Sequence, residues 1–124
     1  MAADQINHIF ADVRKLLEQG RRGEAVALIK PLLPPDQAEI FQELPIEYQT
    51  RLLKLIEAGA AANILEELDE MEERGIPSEY QTFHYHYKNM IEYYILWQNS
   101  GSDDFEFMFS QEDNTTKQLW STLN

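Results

Sequence analysis

The sequence contains no cysteine, which excludes a disulfide framework and a thiolate zinc site. Its five glycines do not form the spacing of a phosphate-binding loop, and no Gly-x-Ser-x-Gly segment marks a nucleophilic serine. No window approaches the roughly 20 apolar residues that a membrane helix needs, and the N-terminal segment lacks the apolar core of a signal peptide. We therefore expect a cytoplasmic protein that is not an enzyme.

Basic residues are scarce in the second half of the chain. Residues 1–60 hold nine acids and seven Lys/Arg, a net charge of −2. Residues 61–124 hold thirteen acids and three Lys/Arg, so they carry −10 of the total −12. Such a surface repels phosphate backbones, which excludes direct nucleic-acid binding, and it suits basic partner proteins or divalent cations.

Apolar residues recur three and four apart along most of the chain, which predicts a series of short amphipathic helices. Glycine or proline follows or precedes each stripe, as expected at helix ends and helix starts. The segment LPIEYQT at residues 44–50 returns as IPSEYQT at residues 76–82. Because the copies diverge afterwards, we interpret the match as a recurrent helix start, with duplication as the alternative. Pro-x-Glu suits a helix start, whereas Tyr-Gln-Thr is not required by it.

The C-terminal third is predicted to contain a longer aromatic helix and a tail. Residues 78–97 are apolar nearly all round, which indicates a core helix with one exposed aromatic patch. Residues 98–104 are typical of a linker, residues 105–109 alternate like a strand, and the last residues predict a short amphipathic turn. We predict one helical domain over residues 1–97 and a tail over residues 98–124, which is either a flap packed on the helices or a mobile segment that seeks a partner.

Aromatic side chains supply the candidate partner contacts, because aromatic anchors are typical of interface centres. The candidates belong to the aromatic helix and the tail: Tyr85, Tyr93, Trp97, Phe105, Phe107, Phe109 and Trp120.

Carboxylates supply the candidate metal ligands, since six acids occur within residues 66–73. Mg²⁺ and Ca²⁺ prefer oxygen ligands, but the EF-hand pattern is absent and a solvated acidic face is the favoured explanation of the cluster. The candidates for weak Mg²⁺ binding are Glu66, Glu67, Asp69, Glu70 and Glu73. His84 and His86 lie two apart, so on a helix they cannot share one metal ion. We expect no other cofactor.

Residues 32–70 resemble the cytoplasmic N-terminal domain of the magnesium transporter MgtE. The resemblance lies in a sequence pattern of prolines, acids and leucines. The matching positions are Asp36, Ala38, Glu39, Glu43, Leu44, Pro45, Glu47, Arg51, Leu52, Leu53, Ala61, Ala62, Leu65, Glu66, Glu67, Leu68 and Asp69. Residues 16–33 fit more loosely, so the similar core covers about residues 16–75. The resemblance implies an all-α, right-handed superhelix of short helices, similar also to the middle segments of the flagellar motor protein FliG. It further implies a regulatory, Mg²⁺-linked role for Glu66, Glu67 and Asp69, while residues 76–124 depart from the family.

Three functions follow from these observations. The first is a non-enzymatic helical module that binds or regulates a partner protein, which the acidic surface predicts to be basic. The second is an acidic mimic of nucleic acid that blocks a basic DNA- or RNA-binding protein. The third, which only the resemblance suggests, is a Mg²⁺-responsive regulatory fragment.

Overall fold

The computed structural model describes residues 3–123, with side chains from residue 4 onward, and within them the chain is all-α and has no strand. The seven α-helices are α1 (Ala3–Glu18), α2 (Arg22–Ile29), α3 (Pro34–Glu43), α4 (Ile46–Leu52), α5 (Ala58–Arg74), α6 (Gln81–Ser100) and α7 (Asp103–Leu123). Two 3₁₀ turns, Leu53–Leu55 and Ser78–Tyr80, follow α4 and precede α6. The predicted all-α class is confirmed, and the superhelical arrangement stays a prediction.

The chain divides into two compact units, Met1–Ala60 and Ala61–Asn124. Both terminal ranges include residues outside the described part of the chain, namely residues 1, 2 and 124. The −10 charge therefore belongs to the second compact unit, because its bounds coincide with the acidic half of the sequence. The predicted division at residue 97 stays a prediction.

The core of the first unit comes from the apolar stripes of its short helices. In α1 the buried side chains are Ile6, Val13 and Leu17, spaced seven and four residues apart and so on one face of the helix. From α2 to the 3₁₀ turn after α4, the core adds Ala25, Ile29, Ala38, Ile40, Phe41, Leu52 and Leu53.

Glycine ends α1 as the sequence predicts. Gly20 adopts φ +74°, a left-handed conformation that a residue with a β-carbon rarely takes. Its N–H donates to the Leu17 carbonyl, and the Arg21 N–H donates to the Leu16 carbonyl at 2.8 Å. These two bonds form a Schellman motif, which satisfies carbonyls that the helix itself leaves without partners.

Three glutamines begin α3, α4 and α6 with the same hydrogen bond. The side-chain Nε2 of Gln37, Gln49 and Gln81 donates to the carbonyl five residues earlier, at 3.0, 2.8 and 3.1 Å. The acceptors, Leu32, Leu44 and Ile76, lie just before the helix or its leading proline. This bond explains why glutamine recurs in LPIEYQT and IPSEYQT, which the helix-start chemistry of Pro-x-Glu does not.

Helices α6 and α7 form an antiparallel hairpin in the second unit. Ring contacts join Tyr93 to Phe105 near the turn and Phe83 to Trp120 at the far end. Gly101, at φ +68°, ends α6, and the Ser102 hydroxyl accepts a hydrogen bond from the Asp104 N–H at the start of α7.

The predictions of a seven-residue linker and of a strand at residues 105–109 are therefore wrong. Gly101 and Ser102 alone connect the helices, and the supposed tail is a helix of 21 residues packed on α6. The alternative in which the tail packs on the helices is the correct one. The helix is favoured because α6 covers one face of it, which carries Phe105, Phe109, Thr116 and Trp120, whereas a lone strand has no partner.

Candidate functional site

Five of the seven candidate partner residues lie on the inner faces of the α6–α7 hairpin: Tyr93, Trp97, Phe105, Phe109 and Trp120. Phe109 is fully buried, with ring centroids 5.9 Å from Tyr94 and 6.0 Å from Trp97. Its prediction as a partner contact is wrong, because its ring is part of the core. The other four are partly exposed, and their contact with a partner stays a prediction.

The remaining two candidates, Tyr85 and Phe107, are 60% and 62% exposed. Phe107 lies two residues from both Phe105 and Phe109, so on α7 its side chain points away from α6. Met108 beside it is also exposed. We call Phe107 and Met108 the α7 patch. Asp103 and Asp104 precede this patch by one turn, so the patch is apolar with an acidic edge.

The five candidate metal ligands on α5, Glu66, Glu67, Asp69, Glu70 and Glu73, are all exposed. Across residues 3–123, no three His, Asp or Glu side chains are arranged to hold a metal ion. Asp69 instead binds a cation of the protein itself, since the Lys88 Nζ lies 2.5 Å from its Oδ1. The carboxylates do not form the donor set that Mg²⁺ needs, and weak water-mediated binding stays a prediction.

Lys88 joins α6 to two acids of α5 and was not among the sequence candidates. Its Nζ lies 3.1 Å from Oε2 of Glu72 in addition to its bond with Asp69. The hydrogen bonds to Asp69 and then Glu72 raise the pKa of Lys88 to about 12. Asp69 and Glu72 are three apart on α5, whereas His84 and Lys88 are four apart on α6. These spacings place the two residues of each pair on one helix face, which was the signal that the sequence offered.

The two histidines of α6 face different helices, as their spacing predicts. His86 Nδ1 lies 2.6 Å from Oε2 of Glu112 on α7. His84 Nε2 lies 3.3 Å from Oε1 of Glu72 on α5, but without the alignment of a hydrogen bond. The His84 ring is buried and its Nε2 has no hydrogen-bond partner.

A cleft of about 380 Å³ opens beside His84, where α5 ends and α6 begins. Its lining residues all belong to the second unit: Glu72, Gly75, Ile76, Gln81, His84 and Tyr85. The cleft therefore combines a carboxylate, a buried imidazole and an exposed phenol ring.

The family model of the MgtE intracellular N domain matches residues 9–73, just over half of the chain. The chain belongs to this family. The match contains the whole of the resembling segment 32–70, so the resemblance is confirmed. Comparison with curated proteins and with solved structures finds no match.

The MgtE N-domain match runs from within α1 almost to the end of α5. The α6–α7 hairpin, with Tyr85, Lys88 and the α7 patch, lies outside the matched residues. In the part of this MgtE N-domain chain that the structure describes, no helix combines the length and the apolar character needed to cross a membrane.

Proposed function

We propose that the chain is a non-enzymatic intracellular module that binds a partner protein through its second unit. Membership of the MgtE intracellular N domain family supports a helical regulatory or interaction role inside the cell. The observation that carries the proposal is the α7 patch. It exposes a phenylalanine and a methionine on a hairpin outside the family match, in a unit with a net charge of −10.

The physical reason is that folding leaves Phe107 and Met108 in water, while Phe109 is buried and Phe105 is half-buried. Burying an exposed apolar side chain at an interface contributes about 1.5–3 kcal/mol. The acids of the same unit attract a basic partner and accelerate its association. The partner we propose is therefore a protein with a basic surface around an apolar centre.

A capture experiment from native lysate, washed in parallel at low and high salt, tests this function. We expect a partner that survives high salt and is lost from the variant Phe107→Ser/Met108→Ser. The matched control is Leu33→Ser, which removes an apolar side chain about as exposed as Phe107 from the first unit and should leave capture unchanged. Equal capture by the α7-patch variant and the wild type would exclude this surface.

The second candidate function is mimicry of nucleic acid, which the charge of the second unit supports. A mimic acts through exposed carboxylates. Salt weakens their attraction to a partner, with a screening length of about 8 Å at physiological ionic strength. Its partner would be a basic nucleic-acid-binding protein that washes away at high salt and is indifferent to the α7 patch. The same experiment therefore distinguishes the two functions.

A further inference from the structure

We propose that the cleft between the end of α5 and the start of α6 binds an arginine side chain of the partner protein. This inference rests on the proposed function and specifies the chemistry of its partner. The cleft is large enough, at about 380 Å³, for a side chain of that size. Its polar groups select a cation, and its acceptors beside an aromatic ring select a planar one.

The charge around the cleft favours a cation. Helix α5 ends at Arg74 and the next residue, Gly75, turns with φ +95°. The last carbonyls of an α-helix lack intrahelical partners and form the negative end of its dipole, which attracts positive groups. The start of α6 at Gln81 brings the positive end of its own dipole to the same cleft, so the negative field comes mainly from the six acids in residues 66–73. The one basic residue of α5, Arg74, does not line the cleft.

A carboxylate oxygen and an imidazole nitrogen lie side by side at the cleft. Lys88 holds Oε2 of Glu72, and the other oxygen, Oε1, lies 3.3 Å from His84 Nε2. The His84 side chain is only 8% exposed, and its Nε2 has no hydrogen-bond partner. We assign the imidazole hydrogen to Nδ1, which makes Nε2 a second acceptor. Adjacent acceptors suit the parallel N–H groups of one guanidinium, which has donors only.

Tyr85 supplies the wall that distinguishes arginine from other cations. Its ring is 60% exposed although it lines the cleft. A guanidinium stacks on an aromatic face and binds a carboxylate with its edge, whereas an ammonium is a compact, strongly hydrated charge. A metal ion is a poorer occupant, because no group of three metal-binding side chains exists within the described residues.

Titration of the full chain with N-acetyl-arginine-methylamide, followed by amide NMR, tests the assignment. We expect saturable binding with a Kd on the order of millimolar and shifts concentrated at residues 75, 76, 81 and 85. The citrulline analogue has the same shape without charge and should bind about tenfold more weakly, as loss of charge-assisted hydrogen bonds predicts. The lysine analogue should also bind more weakly. Equal responses to all three compounds would overturn the proposal.

Matched variants locate the site. Glu72→Gln and Tyr85→Leu should each weaken arginine binding several-fold, with amide spectra confirming that both variants are folded. Their controls are Glu66→Gln, an exposed acid of the same helix, and Tyr80→Leu, an exposed tyrosine outside the cleft. Equal weakening by Glu66→Gln would mean diffuse attraction to an acidic helix and no arginine site. A partner captured through the α7 patch without arginine binding would leave the proposed function intact and remove this inference alone.

Discussion

Phe107 and Phe109 allow a direct test of the α6–α7 hairpin, because they are chemically identical and only two residues apart. Phe109 is 0% exposed and lies against Tyr94 and Trp97, whereas Phe107 is 62% exposed. Truncating a fully buried phenylalanine to alanine costs about 3–5 kcal/mol through lost burial and the remaining cavity. Truncating an exposed one changes stability by no more than about 0.5 kcal/mol.

These costs correspond to large differences in melting temperature. For a chain of 124 residues, 1 kcal/mol shifts Tm by roughly 3–5 °C, so Phe109→Ala should lower Tm by about 9–25 °C. Phe107→Ala should stay within about 2 °C of the wild type. Because 3–5 kcal/mol is a large part of the stability of a domain, Phe109→Leu serves as a milder variant that should still fold.

Tryptophan fluorescence during urea unfolding is the appropriate assay. Both tryptophans, Trp97 and Trp120, belong to the second unit, so their emission reports the unfolding of the hairpin without a contribution from the first unit. On a strand, Phe105, Phe107 and Phe109 would share one face, and the two alanine variants would cost similar amounts. Equal destabilisation by Phe107→Ala and Phe109→Ala would therefore refute the helical assignment.

Three further predictions concern hydrogen bonds and ionisation. Gln49→Leu should cost about 1–3 kcal/mol, because it leaves the buried Leu44 carbonyl and the part-buried Gln42 carbonyl without this donor. Gln81→Leu removes an exposed hydrogen bond and should cost under about 0.5 kcal/mol. Hydrogen exchange and thermal unfolding measure both costs, and equal costs would contradict the role of burial. Lys88→Met should cost about 1 kcal/mol of stability at neutral pH after allowance for solvent screening. The folded-state pKa of Lys88, about 12, exceeds the ordinary 10.5, so the stability difference from the wild type should vanish as pH rises from 10.5 through 12. A difference that does not change with pH would mean that the ion pairs contribute nothing. Burial raises the pKa of Tyr94 from 10.0 to about 12, so stability should fall as pH rises between these values. Burial also raises the pKa of Tyr87, so Tyr94→Phe should remove one phenol from the late part of a phenolate absorbance titration and leave that of Tyr87. Loss of a phenol that titrates near pH 10 on Tyr94→Phe would refute the burial of Tyr94.

The helices of the first unit could be predicted from the sequence because their signals are local. The spacing of apolar residues predicted the buried stripe of Ile6, Val13 and Leu17, and Gly20 predicted the end of α1. Proline marked the starts of α3 and α4. Each of these features depends on residues within one or two turns of the chain, which is the range over which sequence patterns determine backbone structure.

The hairpin could be predicted only in part, because two interpretations competed over the same residues. Phe105, Phe107 and Phe109 alternate like a strand over five residues, whereas the helical stripe becomes visible only when Thr116 and Trp120 are included. Gly101 and Ser102 also carried the signals of a helix end and a helix start, which a linker interpretation overlooks.

The candidate site could not be assembled from the sequence, since it depends on contacts between separate helices. Asp69 and Glu72 were visible as members of an acidic run, but their partner Lys88 lies at least 16 residues away. The cleft beside His84 exists only because α5 ends and α6 begins next to it. Sequence patterns identify which residues share a helix face, and tertiary packing decides which faces meet.

The glutamine bond at the starts of α3, α4 and α6 bears on the ancestry of the repeated segment. A backbone carbonyl that needs a donor five residues later selects glutamine at that place in any helix entered after a similar turn. Similar residues can then arise independently at positions that share a local backbone geometry but do not descend from one duplicated gene segment. Self-similarity confined to LPIEYQT and IPSEYQT is thus weak evidence for duplication, whereas similarity among core positions, which no local bond requires, would be strong evidence.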